Sequence, residues 1–161
     1  MEQYWKVSRL VDIFKQSWDE KMRNSEHFQT FYSFKSLISP ELYLNDDSFG
    51  RKYRNILTKF RLGVSQIHGH RYRFYKHNKL LLKCPLCENP IEDEFHVIFV
   101  CHNYTDLRKS ILPKNVINIR NIHSLNTIMT DYHRNLAKYL LFMFERRNEI
   151  MLQREKEREN D

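Results

Sequence analysis

The sequence predicts a mainly α fold, a small multi-helix domain with little β structure, on three observations. Apolar residues recur at helical spacing in several separate segments. Glycine and proline are scarce, three and four in 161 residues, too few for the tight turns of a sandwich or barrel. Hydrophobic residues make up 41% and aromatics 14%, enough to fill one core at this length. The reading is a single domain over 1–161, with an N-terminal helical part at 1–48. A basic helix and a Cys/His core follow at 49–112, and C-terminal helices at 113–161.

Taken in order, Val7, Leu10, Val11, Phe14, Trp18 and Met22 share one helical face, so the first 25 residues are expected to form an amphipathic helix. His27–Lys35 fits either a strand or a continuing helix. Ser39-Pro40-Glu41 reads as the start of a helix, with cap, first-turn proline and first-turn acid. Asp47 or Ser48 is expected to cap a helix whose stripe is Phe49, Tyr53, Ile56, Leu57 and Phe60, with Gly63 as terminator. His68–Lys79 is a basic, aromatic connector. Short helices are expected at Tyr104–Ile111 and within 121–130. A long helix follows, carrying Tyr132, Leu136, Tyr139, Leu140, Met143, Ile150 and Met151, with a fraying charged end from Arg154.

Charge is unevenly spread. Residues 1–50 hold six Lys/Arg against eight Asp/Glu, and residues 84–161 hold eleven against twelve. The 33 residues between hold ten cations and no acid, so nearly the whole basic character of the chain, net +7, lies there. A polyanionic partner is the natural expectation. The longest apolar run, Tyr139–Phe144, falls far short of the roughly 20 residues a membrane span needs. The N-terminus lacks the apolar stretch of a signal peptide. A cytoplasmic or nuclear, non-secreted protein without membrane contact is expected. Three cysteines, all within 18 residues, suit a metal site better than a disulfide framework.

That site is Cys84-Pro-Leu-Cys87, eight residues, His96, four residues and Cys101. A C-x-x-C knuckle turns two thiolates toward one ion, and the His-x4-Cys pair adds two ligands from one helical segment. Three sulfurs and an imidazole favour tetrahedral Zn2+ over oxygen-seeking magnesium or calcium. His102 is a minority alternative to Cys101. Four protein ligands leave no open position, so one structural zinc is expected, with no catalytic residue. Binding energies of about 10–16 kcal/mol at such sites rival a domain's net stability of about 5–15 kcal/mol. The acids Glu92, Asp93 and Glu94 are read as the favourable start of the helix carrying His96, ahead of a role in orienting its imidazole.

Two enzyme readings fail. A zinc deaminase needs an upstream H-x-E, and residues 51–83 contain no glutamate. Leu44-Asn45-Asp46-Asp47 resembles paired polymerase aspartates, but only 45 residues precede Asp46, too few for a palm fold, and a capping turn explains it.

The run from His70 to His77 interleaves cations with aromatics. Arg51, Lys52, Lys59, Arg61, Arg71, Arg73 and Lys76 are candidate phosphate contacts, with Tyr72 and Tyr75 as candidate base-stacking residues. The bland counterpart is core aromatics beneath a solvated charged face. If extended, the segment would place Arg71, Arg73 and Tyr75 on one side. Six phosphates neutralised on a single strand would give a log K against log salt slope of about −4.

The order Phe60-Arg61, Arg71-Tyr72, Cys84, Cys87, Glu92, Glu94, His96, Cys101, Tyr104, Leu107 and Arg108 resembles the region C-terminal to reverse transcriptase in non-LTR (LINE-like) retrotransposons. The resemblance covers roughly residues 28–112, departs at His70 where a glycine is usual, and brings no endonuclease or polymerase domain. It implies a zinc-binding accessory module gripping RNA or DNA, as a truncated copy, a polyprotein fragment or a derived host gene. The expected function is therefore a non-catalytic nucleic-acid-binding module. The runner-up is a protein-interaction domain, in which Trp5–Met22 and the C-terminal helix dock a reverse transcriptase or another copy of the chain. A folded relic without function is the third reading.

Overall fold

A computed structural model describes residues 2–25, 28–35, 39–75 and 82–159. The elements are α1 (Glu2–Arg23), α2 (Gln29–Phe34), a short 3-10 turn (Leu42–Leu44), α3 (Arg51–Arg61), α4 (His68–Tyr75), a π turn (His96–Val100), a second 3-10 turn (His102–Tyr104), α5 (Thr105–Ile111), α6 (Lys114–Ile117), α7 (Ile122–Thr130) and α8 (His133–Glu159). No strand occurs among the described residues, so the mainly helical expectation holds. No described helix is long and apolar enough to cross a membrane.

Helix α8 is the spine, and α3, α5 and α7 pack along it. Its Leu136, Ala137, Tyr139, Leu140 and Met143 are buried at helical spacing, and they meet Leu57 and Phe60 of α3 and Ile128 and Met129 of α7 in one core. Helix α8 runs to Glu159, and the last two residues of the end expected to fray lie outside the described residues.

Helix α3 ends as expected at Gly63, whose φ of 69° suits a residue without Cβ. Val64 N–H donates to Lys59 O and Gly63 N–H to Phe60 O, the paired bonds of a Schellman stop. Its start differs from expectation. Gly50 is the N-cap and offers no side-chain bond, while Asp46 Oδ1 accepts from Ser48 N in a turn upstream. That turn accounts for the Asp46-Asp47 pair without a metal.

Ser39-Pro40-Glu41 starts only the 3-10 turn. Glu41 instead pairs with Lys35 and Arg61, at 2.5 and 2.7 Å. The ambiguous 27–35 stretch is helical over Gln29–Phe34, and the basic connector is a helix over His68–Tyr75 rather than an extended strand. Alternating cations and aromatics fit both conformations, so periodicity could not separate them. On α1, Leu10 and Phe14 are 66% and 63% exposed, so this helix does not bury its stripe in the core.

Candidate metal centre

The knuckle Cys84–Cys87 is a tight turn in which Cys84 N–H donates to Asn89 O at 2.8 Å and Glu88 N–H to Cys84 O at 3.0 Å. Glu88 takes φ of 62°, the left-handed twist that swings the chain away after the second cysteine. Asp93 Oδ1 accepts His96 N–H at 2.7 Å, capping the segment that carries the imidazole. There the backbone slips into the π form: Cys101 N–H donates to His96 O, five residues back. An i to i−5 closure makes residues five apart neighbours, which brings His96 and Cys101 to one side.

The ligand atoms of Cys84, Cys87, His96 and Cys101 all lie within 4.8 Å of one another, and His96 Nε2 is 3.3 Å from Cys87 Sγ. A tetrahedron with bonds of about 2.3 Å to sulfur and 2.0 Å to nitrogen has edges of roughly 3.5–3.8 Å, so a small contraction would seat an ion. All three thiols are free, and three of the four residues are buried, with Cys87 half-buried. His102 is exposed and lies outside the cluster, whose fourth member is Cys101.

The bond to Cys101 and burial push Cys84 up to about 12, while Cys101 is lowered because Cys84 donates to it. Burial also raises Cys87. A cation that displaces the thiol protons relieves a crowded set of buried donors, the chemistry expected of a thiolate metal site.

The surrounding shell explains the acidic motif differently from the sequence reading, because only Asp93 acts as a helix-start acid. Glu92 is fully buried. Its Oε2 accepts the backbone N–H of His68 at 2.8 Å, and its Oε1 meets Arg147 of α8 and the Cys84 thiol, the latter at 3.7 Å. Glu94 is buried beside His70 Nε2 at 2.7 Å and accepts Arg73 Nη2 at 3.1 Å. Burial pushes Glu94 up, but the bond and charge of His70 and the charge of Arg73 outweigh it and hold the carboxyl at about 2.

Helix α8 grips the site at several heights. Tyr139 OH donates to Val97 O at 2.5 Å in the π turn, and Arg154 donates to Pro85 O and Leu86 O at 2.5 and 3.1 Å in the knuckle. Arg108 of α5 donates to the carbonyls of Ile98 and Cys101, closing the turn after the last ligand. Glu92, Glu94 and Arg108, marked in the sequence as motif positions, are thus buried props of the cluster, and Tyr104, another motif position, is buried in the core. Arg147 and Tyr139 are props that sequence reasoning missed. Their pairing spans 55 and 42 positions, and the only signal was a cation within an apolar helix stripe.

The candidate phosphate contacts divide. Arg51, Lys59 and Arg71 are exposed and make no ion pair with a described residue. Lys52 is exposed beside Glu145 at 3.3 Å. Arg61 is a correction: it is 3% exposed, paired with Glu41 and laid over the rings of Phe34 and Tyr43, so it cannot reach a phosphate. Arg73 is a second correction, half-buried and held by Glu94 and by Thr30 Oγ1 at 3.2 Å. Tyr72 is half-buried on α4. Lys76 and the side chain of Tyr75 lie outside the described residues.

Comparison with protein-family models, with curated proteins and with solved structures returns no match.

Proposed function

We propose that the chain is a non-catalytic nucleic-acid-binding module whose Cys84, Cys87, His96 and Cys101 hold one structural zinc ion, and that it derives from the tail of a retrotransposon reverse transcriptase. The observations that carry the reading are this closed donor set and the exposed Arg51, Lys59 and Arg71, which make no ion pair with a described residue. Three sulfurs and one imidazole select zinc from the available divalent ions. A buried site with every position filled by protein supplies rigidity rather than a reactive water. The retroelement origin is supported by the motif order in the sequence, in which Glu92, Glu94 and Arg108 are buried beside the Cys/His cluster.

Binding of the zinc-loaded protein to RNA and DNA across a salt series tests the reading. With four exposed cations on phosphate, Arg51, Lys52, Lys59 and Arg71, the slope of log K against log salt on a single strand is expected at about −3. A slope near zero would remove the proposal.

A second reading is favoured by α1, whose Leu10 and Phe14 are exposed. As a docking helix it would seat a partner polymerase or a second copy. Leu10→Asp with Phe14→Asp would then abolish self-association or capture of a reverse transcriptase while leaving nucleic-acid binding intact. Charge reversal at Arg71 separates the two readings from the other side.

A further inference from the structure

We propose that the trough between α3 and α8 is a binding site for single-stranded nucleic acid, holding it by its bases as well as its phosphates; this deepens the nucleic-acid reading above and rests on it. Two adjoining cavities of about 830 and 340 Å3 share Val64, Ser65, Gln66 and Asn148 and so form one continuous trough. Lys52, Asn55 and Lys59 of α3 line one side, Asn148 and Met151 of α8 the other, and Arg71 of α4 the far end. The Schellman stop at Gly63 turns the chain so that Val64–Gln66 forms the floor.

The chemistry of the lining selects the ligand. No Asp or Glu lines either cavity among the described residues, although Lys52 of the lining pairs with Glu145, so the lining itself favours a polyanion. Lys59 and Arg71 are exposed and free of ion pairs with described residues, whereas Arg147 belongs to Glu92 and serves only as wall. Asn55, Gln66 and Asn148 are exposed amides, each offering donors and an acceptor, the pattern that base edges need. Val64, 44% exposed, and half-buried Met151 provide apolar surface on which a base face can lie. A duplex would engage the cations but keep its base faces stacked inside, leaving the apolar floor and most amide contacts unused. A single strand presents phosphates, edges and faces together.

The test uses the metal-loaded full chain and fluorescence anisotropy with a labelled mixed-sequence RNA strand, alone and annealed to its complement. The wild-type protein is expected to prefer the single strand by about tenfold. Asn55→Ala, Gln66→Ala and Asn148→Ala combined leave the charge unchanged. Together they should lower single-strand affinity by about tenfold with the salt slope and melting temperature retained. If the triple variant binds as wild type with its salt slope intact, the trough is wrong although the nucleic-acid reading stands. If wild-type protein binds neither strand form at low salt, the nucleic-acid reading falls and the trough with it. Should the triple variant not fold, 4-thiouridine crosslinking to wild-type protein decides. Crosslinks within 52–71 and 144–151 support the trough, and crosslinks confined elsewhere overturn it.

Discussion

At Glu92 one carboxylate joins three parts of the chain: the first backbone N–H of α4, Arg147 of α8 and the Cys84 thiol. Removing its charge leaves the Arg147 guanidinium, itself buried, without a counter-ion. Glu92→Gln is expected to cost about 3–5 kcal/mol in urea unfolding, and adding Arg147→Met should recover much of that loss. Glu94 is a buried contributor to the pH dependence. Its carboxyl is depressed to about 2 from an ordinary 4.5, so its contribution is fully present above about pH 4.5 and is lost as pH falls through about 2. Wild-type protein should therefore lose more stability across that interval than Glu94→Gln, read as the shift in urea midpoint. A Glu94→Gln curve parallel to wild type would contradict this. The sequence showed these acids but not their work, because the charges they meet, His70, Arg73 and Arg147, lie 21 to 55 positions away along the chain. Arg61 misled for the same reason: its sequence neighbours are basic, and its anion, Glu41, is supplied by another segment.

Among the elements, those with a repeating apolar face and a chemical stop were readable. Helix α3 declares itself by its stripe and by Gly63, and α8 by buried residues at helical spacing. Helix α4 was not readable, since it is set by contact rather than periodicity. Gly69 N–H donates to Glu92 O at 2.8 Å, and a Cβ at Gly69 would sit 2.6 Å from that oxygen. Gly69→Ala must therefore push α4 off the segment that supports the Cys/His cluster, at about 1–3 kcal/mol, and, if the cluster holds a metal, should weaken its retention as well. An unchanged melting temperature with unchanged metal content would refute this close-contact account. The π turn was equally hidden, although its consequence, His96 and Cys101 on one side, was implied by treating both as ligands of one ion.

For the whole molecule, one core runs along α8. It joins α3, α7 and the first half of α8 to the buried cysteines and the π turn. The Cys/His cluster and its ionic props are tied to the second half of α8 by Arg147 and Arg154. The four-residue cluster was legible because few chemistries explain three cysteines and a histidine at that spacing. Its coupling to the C-terminal helix was not, because it depends on tertiary contacts between distant segments. If zinc fills the cluster, its binding energy of about 10–16 kcal/mol is comparable to the net stability of the domain. The most direct test is to strip the metal completely and follow circular dichroism and thermal melting against the zinc-loaded protein. The account predicts that residues 80–105 at least unfold, with loss of helical signal and a lower melting temperature, and that both return when zinc is restored. Unchanged circular dichroism and an unchanged melt after complete removal would contradict it.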